Sequence, residues 1–281
     1  MSGTLYLCAT PIGNLEDITL RVLRLLKECD VIAAEDTRHT MGLLNHFDIK
    51  TPLISYHEHN KKTAGPKLIE RLLEGQNIAL VTDAGMPGIS DPGADMVKLC
   101  RENDIAVTVA PGATAALTAL VLSGLDTRRA VFEGFFPSDK KERRSRIDAL
   151  KNETRSVILY EAPHRLCSFF EELYNALGDR NAAVIKEITK KYETVKTGAL
   201  SELLHFYNEN PPKGEYVIVM EGVSEQSLKE AEISRWENIS VEEHVNLYES
   251  QGMSRKDAMK AAAKDRGLSK RDIYAFLNKE D

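Results

Sequence analysis

NIALVTDAGMPGISDPG, residues 77–93, runs an apolar stretch straight into a loop of glycine, proline and aspartate. A short apolar run closed by such residues fits a strand covered on both faces, as in a parallel sheet flanked by helices. In open sheets of that kind, ligands bind in the crevice outside the carboxyl ends of the strands. The loop is therefore a candidate ligand site, yet residues 81–93 contain no lysine or arginine. Neither G-x-G-x-x-G nor G-x-x-x-x-G-K-[ST] is present, so the usual phosphate cradles are excluded. What remains is backbone amides and carbonyls plus Asp83, a set suited to a nucleoside or a zwitterion. A ligand with a cationic centre has no need of lysine.

Working outward, TLYLCA (4–9), VIAA (31–34), PLISY (52–56) and IAVTVA (105–110) read as sister strands, also buried on both faces. Between them, LRVLRLLKEC (20–29), KKTAGPKLIERLLEG (61–75) and DMVKLCREN (95–103) are helical, which predicts a largely parallel sheet. TPIGNLED (10–17) follows the first strand and APGATAALTAL (110–120) the fifth, so three Gly/Pro loops converge on one edge. Each loop alone reads equally as a tight strand-to-helix turn.

FEGFFPSD (132–139) leads into KKERRSRIDALKNETR, a charge-dense helix expected to bridge rather than to fill a core. SVILYEA (156–162), NAAVIKEI (181–188), ETVKTG (193–198) and GEYVIVMEG (214–222) then follow with fewer helices between them. That spacing predicts a mixed or antiparallel sheet and a boundary near residues 116–130. The expected layout is a parallel α/β domain over 1–118, a second α/β domain with a mixed sheet over 119–226, and a helical module over 235–281.

In that module Ser240-x-x-Glu243, Ser254-x-x-Asp257 and Ser269-x-x-Asp272 each match a capping box. Gly252 and Gly267 fall where C′ glycines would close the first two of three helices, a unit of helix-turn-helix size. Met253 to Lys279 holds eight Lys/Arg against three acids, a local excess that fits either RNA phosphates or a solvated helical surface.

Composition narrows the class. A net charge of -6 over 281 residues excludes a uniformly basic nucleic-acid coat, so an anionic partner must meet local patches. No signal peptide, and no run of about eighteen apolar residues, is evident. The four cysteines form no C-x-x-C pair, which argues against a zinc ribbon or disulfide framework and for a reduced cytoplasm.

Polar clusters sit directly behind several strands. AAEDTRHT (33–40) sets Glu35, Asp36, Arg38 and His39 there, fit either for acid–base work or for a capped helix start with an ion pair. YEAPHR (160–165) places Glu161, Pro163, His164 and Arg165 similarly, and KEITKKYE adds Lys186, Glu187, Lys190 and Lys191. His57 and His59, two apart on an expected strand, share a face, but no third ligand has suitable spacing and no metal is expected.

TPIGNLEDIT, AAEDTRHT, TDAGMPGISDPG, APGATAALTAL, FEGFFP, YEAPHRL and KEITKKYE, in that order, resemble the tetrapyrrole methylase superfamily, and within it the branch that methylates small-subunit ribosomal RNA. The resemblance covers residues 4 to about 222. It implies the two-domain class III methyltransferase fold, S-adenosylmethionine (SAM) in the cleft between domains, a homodimer, and 2′-O-methylation of cytidine 1402 in 16S rRNA within the 30S subunit.

Carried over by position, the SAM shell comprises Pro11, Asp83, Ala84, Gly85, Pro87, Ile89, Ser90, Thr114, Tyr160, Glu161, Ala162 and Pro163. Met86 stands where many members have threonine, and KEIT where R-E-L-T is common. Glu35, Asp36, Glu161 and Glu187 are the unranked candidates for a general base, and Arg38, His39, His164, Arg165, Lys186 and Lys190 for RNA contacts. Two alternatives stand beside this reading: methyl transfer to a tetrapyrrole or other small molecule, and non-catalytic RNA binding through the tail.

Overall fold

Parallel strands alternate with helices through the first 122 residues of the computed structural model, which describes residues 2–277. In chain order these are β1 (Thr4–Cys8), α1 (Leu20–Glu28), β2 (Val31–Ala34), α2 (Thr37–His46), β3 (Leu53–Ser55), α3 (Lys61–Leu73), β4 (Ile78–Val81), α4 (Gly93–Glu102), β5 (Ala106–Ala110) and α5 (Ala115–Leu122). The strands pair in the order β3-β2-β4-β1-β5. Every residue of β2 and β4 is buried, because helices cover both faces of the sheet centre. One core gathers Leu5, Leu7, Leu68, Leu72 and Met96, and the other gathers Val22, Leu26, Ile32, Leu44 and Val81.

The edges correct the expectation of strands buried on both faces. β5 exposes Ala106, Thr108 and Val109, and β3 keeps no fully buried residue. A strand's own apolar content does not reveal whether it lies at a sheet edge. His57 and His59 are likewise off the expected strand, in the turn that follows β3.

The second sheet is built from β6 (Ala130–Phe135), β7 (Ser156–Glu161), β8 (Asn181–Lys186), β9 (Thr194–Ala199) and β10 (Tyr216–Met220), in the order β6-β7-β10-β8-β9. Only β6 and β7 run parallel, and the other pairs are antiparallel. Its helices are α6 (Lys140–Ala149), α7 (Leu166–Leu177) and α8 (Leu200–Glu209). Here α6 departs from the expected bridge, because it buries Arg143 and Ile147. Arg143 lies over the rings of Phe169 and Phe136 at 4.9 and 5.9 Å and meets Glu161 and Glu172, so a charged helix supplies a core contact.

Both sheets belong to one compact unit, Met1–Ile147 with Ser156–Glu221. A second unit joins Asp148–Arg155 to Gly222–Asp281. Among the described residues it holds α9 (Glu225–Ser234), which precedes the expected module, and then the three expected helices, α10 (Val241–Ser250), α11 (Arg255–Asp265) and α12 (Lys270–Leu277). Val245, Ala258, Met259, Ala262, Ala263 and Ile273 form its own core.

Ser240 with Glu243, and Ser269 with Asp272, close reciprocal capping boxes. At Ser254 the box is only half made, since Asp257 turns its carboxylate to the serine hydroxyl rather than to the serine N–H. Gly252 and Gly267 take φ of 90° and 63°, as their C′ places demand. Arg255, Lys256, Lys260, Lys264, Lys270 and Arg271 are exposed, whereas Arg266 turns inward; Lys279 lies outside the described residues. Among the described residues, no helix is long and apolar enough to cross a membrane.

Candidate functional site

Three loops meet at the carboxyl end of the first sheet. Thr10 and Gly85 exchange backbone hydrogen bonds of 2.9 and 3.2 Å, tying the loop after β1 to the loop after β4. The Thr10 hydroxyl donates to the Thr82 carbonyl at 3.1 Å. Gly85 has φ of +84°, and a Cβ there would stand 3.1 Å from the Ile12 side chain and 3.5 Å from the Ala113 carbonyl of the third loop. The positive φ is what calls for glycine here, with the Ile12 side chain leaving little room besides.

Asp91 organises the rest of the opening loop. Its carboxylate accepts N–H donation from Gly88 at 2.9 Å, Ile89 at 3.2 Å and Gly93 at 2.7 Å. Gly93 opens α4 so near the loop that a Cβ would lie 2.7 Å from the Gly88 nitrogen. Asp91 was not singled out from sequence, although an aspartate two residues before Gly93 is a recognisable turn signal.

Two cavities lie against these loops. The first, of about 630 Å³, is lined by Ala84, Gly85, Met86 and Ile89, by the start of α5 from Thr114 to Leu117, and by strands of the second sheet. Phe132 and Phe135 meet Tyr160 edge-on, with centroids 5.2 and 5.4 Å apart, and all three rings line the cavity. Burial pushes the Tyr160 phenol up, so it stays protonated and neutral. No lysine or arginine among the described residues lines this cavity. Flat apolar walls, backbone polar atoms and aromatic faces without cations suit a ligand that carries a diffuse positive charge.

The second cavity, of about 510 Å³, differs in the charged side chains about it. Thr10, Pro11, Thr82 and Asp83 line it together with Arg38, His39 and Lys190, while Ile12, Ala84 and Glu215 belong to both walls. Of the expected cofactor shell, Ala84, Gly85, Ile89, Thr114, Tyr160, Glu161, Ala162 and Pro163 line the first cavity. Pro11 and Asp83 line the second, and Pro87 and Ser90 line neither. Pro87 is buried, and Ser90 is exposed with φ of +66°, so both contribute to the shape of the loop. Met86 faces the first cavity as a flexible apolar wall.

The four candidate bases differ in their commitments. Glu161 is wholly buried; one oxygen accepts from the Ala162 N–H at 2.8 Å and from Arg165 at 2.7 Å, and the other faces Arg143 at 3.4 Å. Glu187, at φ of +53°, accepts from the Glu215 N–H at 2.8 Å and meets Lys190 at 3.4 Å. That backbone bond, seconded by Lys190, holds its carboxyl below the usual range. Asp36 caps α2 and pairs with Arg38, whose side-chain hydrogen bonds hold the Asp36 carboxyl far below the usual range. The capped helix start with an ion pair is thus the reading that fits Asp36. Glu35 accepts from the Thr82 hydroxyl at 2.6 Å and lines neither cavity.

Of the expected RNA contacts, Arg38, His39 and Lys190 come together at the second cavity. Arg165 is engaged with Glu161, while His164, which is exposed, and Lys186 line neither cavity. Phe132, Phe135 and Glu215 are lining residues not picked out singly from sequence. FEGFFP flagged the two rings as a motif, but nothing local marks Glu215.

Comparison with known proteins agrees with this architecture. The Tetrapyrrole (Corrin/Porphyrin) Methylases family matches residues 4–204. The ribosomal RNA small subunit methyltransferase I of Halalkalibacterium halodurans is 50% identical over 278 residues, 99% of this chain and 96% of that protein. The Bacillus subtilis protein of the same name is 48% identical over 97% of this chain and 93% of its own length. Among solved structures, uroporphyrin-III C-methyl transferase from Thermus thermophilus complexed with S-adenyl homocysteine shares the fold, with a TM-score of 0.55 and 18% identity over 78% of this chain and 97% of that one. The chain belongs to the tetrapyrrole methylase family, and within it to the ribosomal RNA small subunit methyltransferase I proteins.

Proposed function

We propose that this chain transfers a methyl group from SAM to the ribose 2′-hydroxyl of cytidine 1402 in 16S rRNA, acting on the 30S subunit as a homodimer. The observation that carries the reading is the pair of cavities with a common wall: one aromatic and without lysine or arginine among the described residues, the other with Arg38, His39 and Lys190 about it. SAM supplies a methyl group on a sulfonium, and transfer requires the acceptor oxygen to approach in line.

The residues present fit that cofactor. Phe132, Phe135 and Tyr160 offer aromatic faces to a sulfonium, and Gly85 lets the backbone approach closely. No lysine stands in the first cavity to repel a positive centre. Thr10, Thr82 and Ala84 form the wall against which an acceptor is pressed, while Arg38, His39 and Lys190 suit phosphate contacts that set register.

The homodimer draws support from exposed apolar side chains. Val121 and Leu122 on α5 are 73% and 37% exposed, and Val109 on edge strand β5 is 42% exposed. Unpaired edges and apolar patches of this kind mark association surfaces.

Mapping ribose methylation in 16S rRNA from a strain that lacks the gene tests the reading. The 2′-O-methyl group at the target cytidine is expected to vanish and to return when the gene is restored. An unchanged map would contradict it.

A further inference from the structure

We infer that the second cavity seats one unstacked nucleotide and that Asp83 is the group that takes the proton from its 2′-hydroxyl. The inference deepens the methyltransferase reading and rests on it. It also moves Asp83 from the cofactor's surroundings to the acceptor's.

Asp83 stands two residues beyond the end of β4, at the start of the opening loop, and it lines the second cavity but not the first. Its neighbour Ala84 lines both, so the carboxylate stands one residue from the common wall. Its Oδ1 accepts the Asp36 N–H at 3.0 Å, which fixes the carboxylate plane. Among the described residues no donor or cation is recorded on Oδ2. The floor beneath is held by the Thr10 hydroxyl on the Thr82 carbonyl, and by the Thr82 hydroxyl on Glu35. An oriented carboxylate with one uncommitted oxygen on a rigid floor is what a general base requires.

Every competing carboxylate is committed elsewhere. Glu161 is sealed by Arg143 and Arg165, Asp36 by Arg38, Glu187 by the Glu215 amide, and Glu215 by Lys190 at 2.8 Å. Glu35 stands behind Thr82, outside both cavities.

About 510 Å³ falls within the size of single small-ligand pockets, so a stacked strand does not enter. The target must leave the stack, as bases do for enzymes that act on one nucleotide. Arg38 and His39 are exposed at the rim, where the flanking phosphates would pass.

The step balances within these groups. The 2′-oxygen forms its bond to the methyl carbon while the carbon–sulfur bond breaks and leaves its electron pair on sulfur. The hydroxyl proton passes to Asp83. A neutral thioether and a methylated ribose result, and the carboxylic acid then returns its proton to solvent.

The test compares full-length wild type with Asp83→Asn, Asp83→Glu and Asp83→Ala. SAM affinity is read by calorimetry, and single-turnover transfer to unmodified 30S subunits is read against pH. Binding is also compared for an RNA oligonucleotide spanning the target and for its analogue with one 2′-deoxy sugar at the target. Asp83→Asn is expected to bind SAM within about threefold of wild type, lose about 100-fold in rate, and lose the acid limb of the pH profile. Asp83→Glu is expected to keep part of the rate. Wild type should prefer the ribose oligonucleotide by about tenfold, and Asp83→Ala should show no preference. An Asp83→Asn variant that transfers at the wild-type rate, or that loses SAM affinity together with rate, overturns the inference; so does equal preference in wild type and Asp83→Ala, or an Asp83→Glu variant as inactive as Asp83→Asn. No transfer by wild type would instead sink the methyltransferase reading, while the oligonucleotide comparison would still decide the Asp83 contact.

Discussion

At the scale of single residues, Asp91 holds the loop after β4, because one carboxylate satisfies the amides of Gly88, Ile89 and Gly93. Asp91→Ala strands those donors, so a stability loss of about 1–3 kcal/mol is expected together with weaker SAM binding. Thermal denaturation and calorimetry on the same preparation check both, and unchanged SAM affinity would show that the loop keeps its shape without the aspartate. Arg143 carries a second prediction. Its side chain is only 10% exposed and faces the fully buried Glu161, so Arg143→Ala leaves a buried carboxylate with Arg165 as its remaining cation. Removal of one partner of a buried pair costs roughly 3–5 kcal/mol. Urea denaturation should show a loss of that order, and a loss near zero would mean that Arg165 suffices.

At the scale of elements, the packing of α10 against α11 centres on His244. Its ring stacks on Trp236 at 3.6 Å and on Tyr248 at 5.3 Å. Arg266 donates to its Nδ1 at 3.1 Å, Asp265 lies 3.5 Å from its Nε2, and Tyr248 in turn bonds to Asp265. Burial, seconded by Arg266, pushes the imidazole below its usual value, so the folded helices hold it neutral. A histidine that resists protonation only when folded gives stability that is present above about pH 6.5 and lost as pH falls below it. Protection factors of the α10 and α11 amides, corrected for the intrinsic pH dependence of exchange, should fall between about pH 6.5 and 5 in the whole protein, and much less so in His244→Phe. Elements of this kind also show what sequence could yield. Caps and C′ glycines were legible because their partners lie within a few residues, as with Ser240 and Glu243. The central strands were legible from their apolar runs. By contrast, the exposure of β5 depends on sheet order, and the burial of Arg143 depends on Glu161 and Glu172, 18 and 29 residues away. In the candidate site the loops were readable as glycine and proline punctuation. The division between two cavities was not, because Lys190 and Glu215 reach the Asp83 side only through the second sheet.

At the scale of the whole molecule, the exposed apolar residues Val121 and Leu122 of α5 predict self-association. Val121→Asp, at a residue 73% exposed, is expected to shift the protein from dimer to monomer in sedimentation at micromolar concentration with little loss of fold. A wild type that sediments as a monomer would contradict the homodimer. The basic faces of the second unit, with Lys256, Lys260 and Lys264 exposed on α11, fit a role in gripping RNA, as the cations about the second cavity do. The most direct measurement incubates the purified chain with methyl-labelled SAM and 30S subunits from a strain that lacks the gene, then digests the 16S rRNA with alkali and locates the resistant bond. Label at the ribose of cytidine 1402, in a bond that alkali does not cleave, is the predicted result. Label on a base, at another position, or on no RNA at all would contradict the central claim.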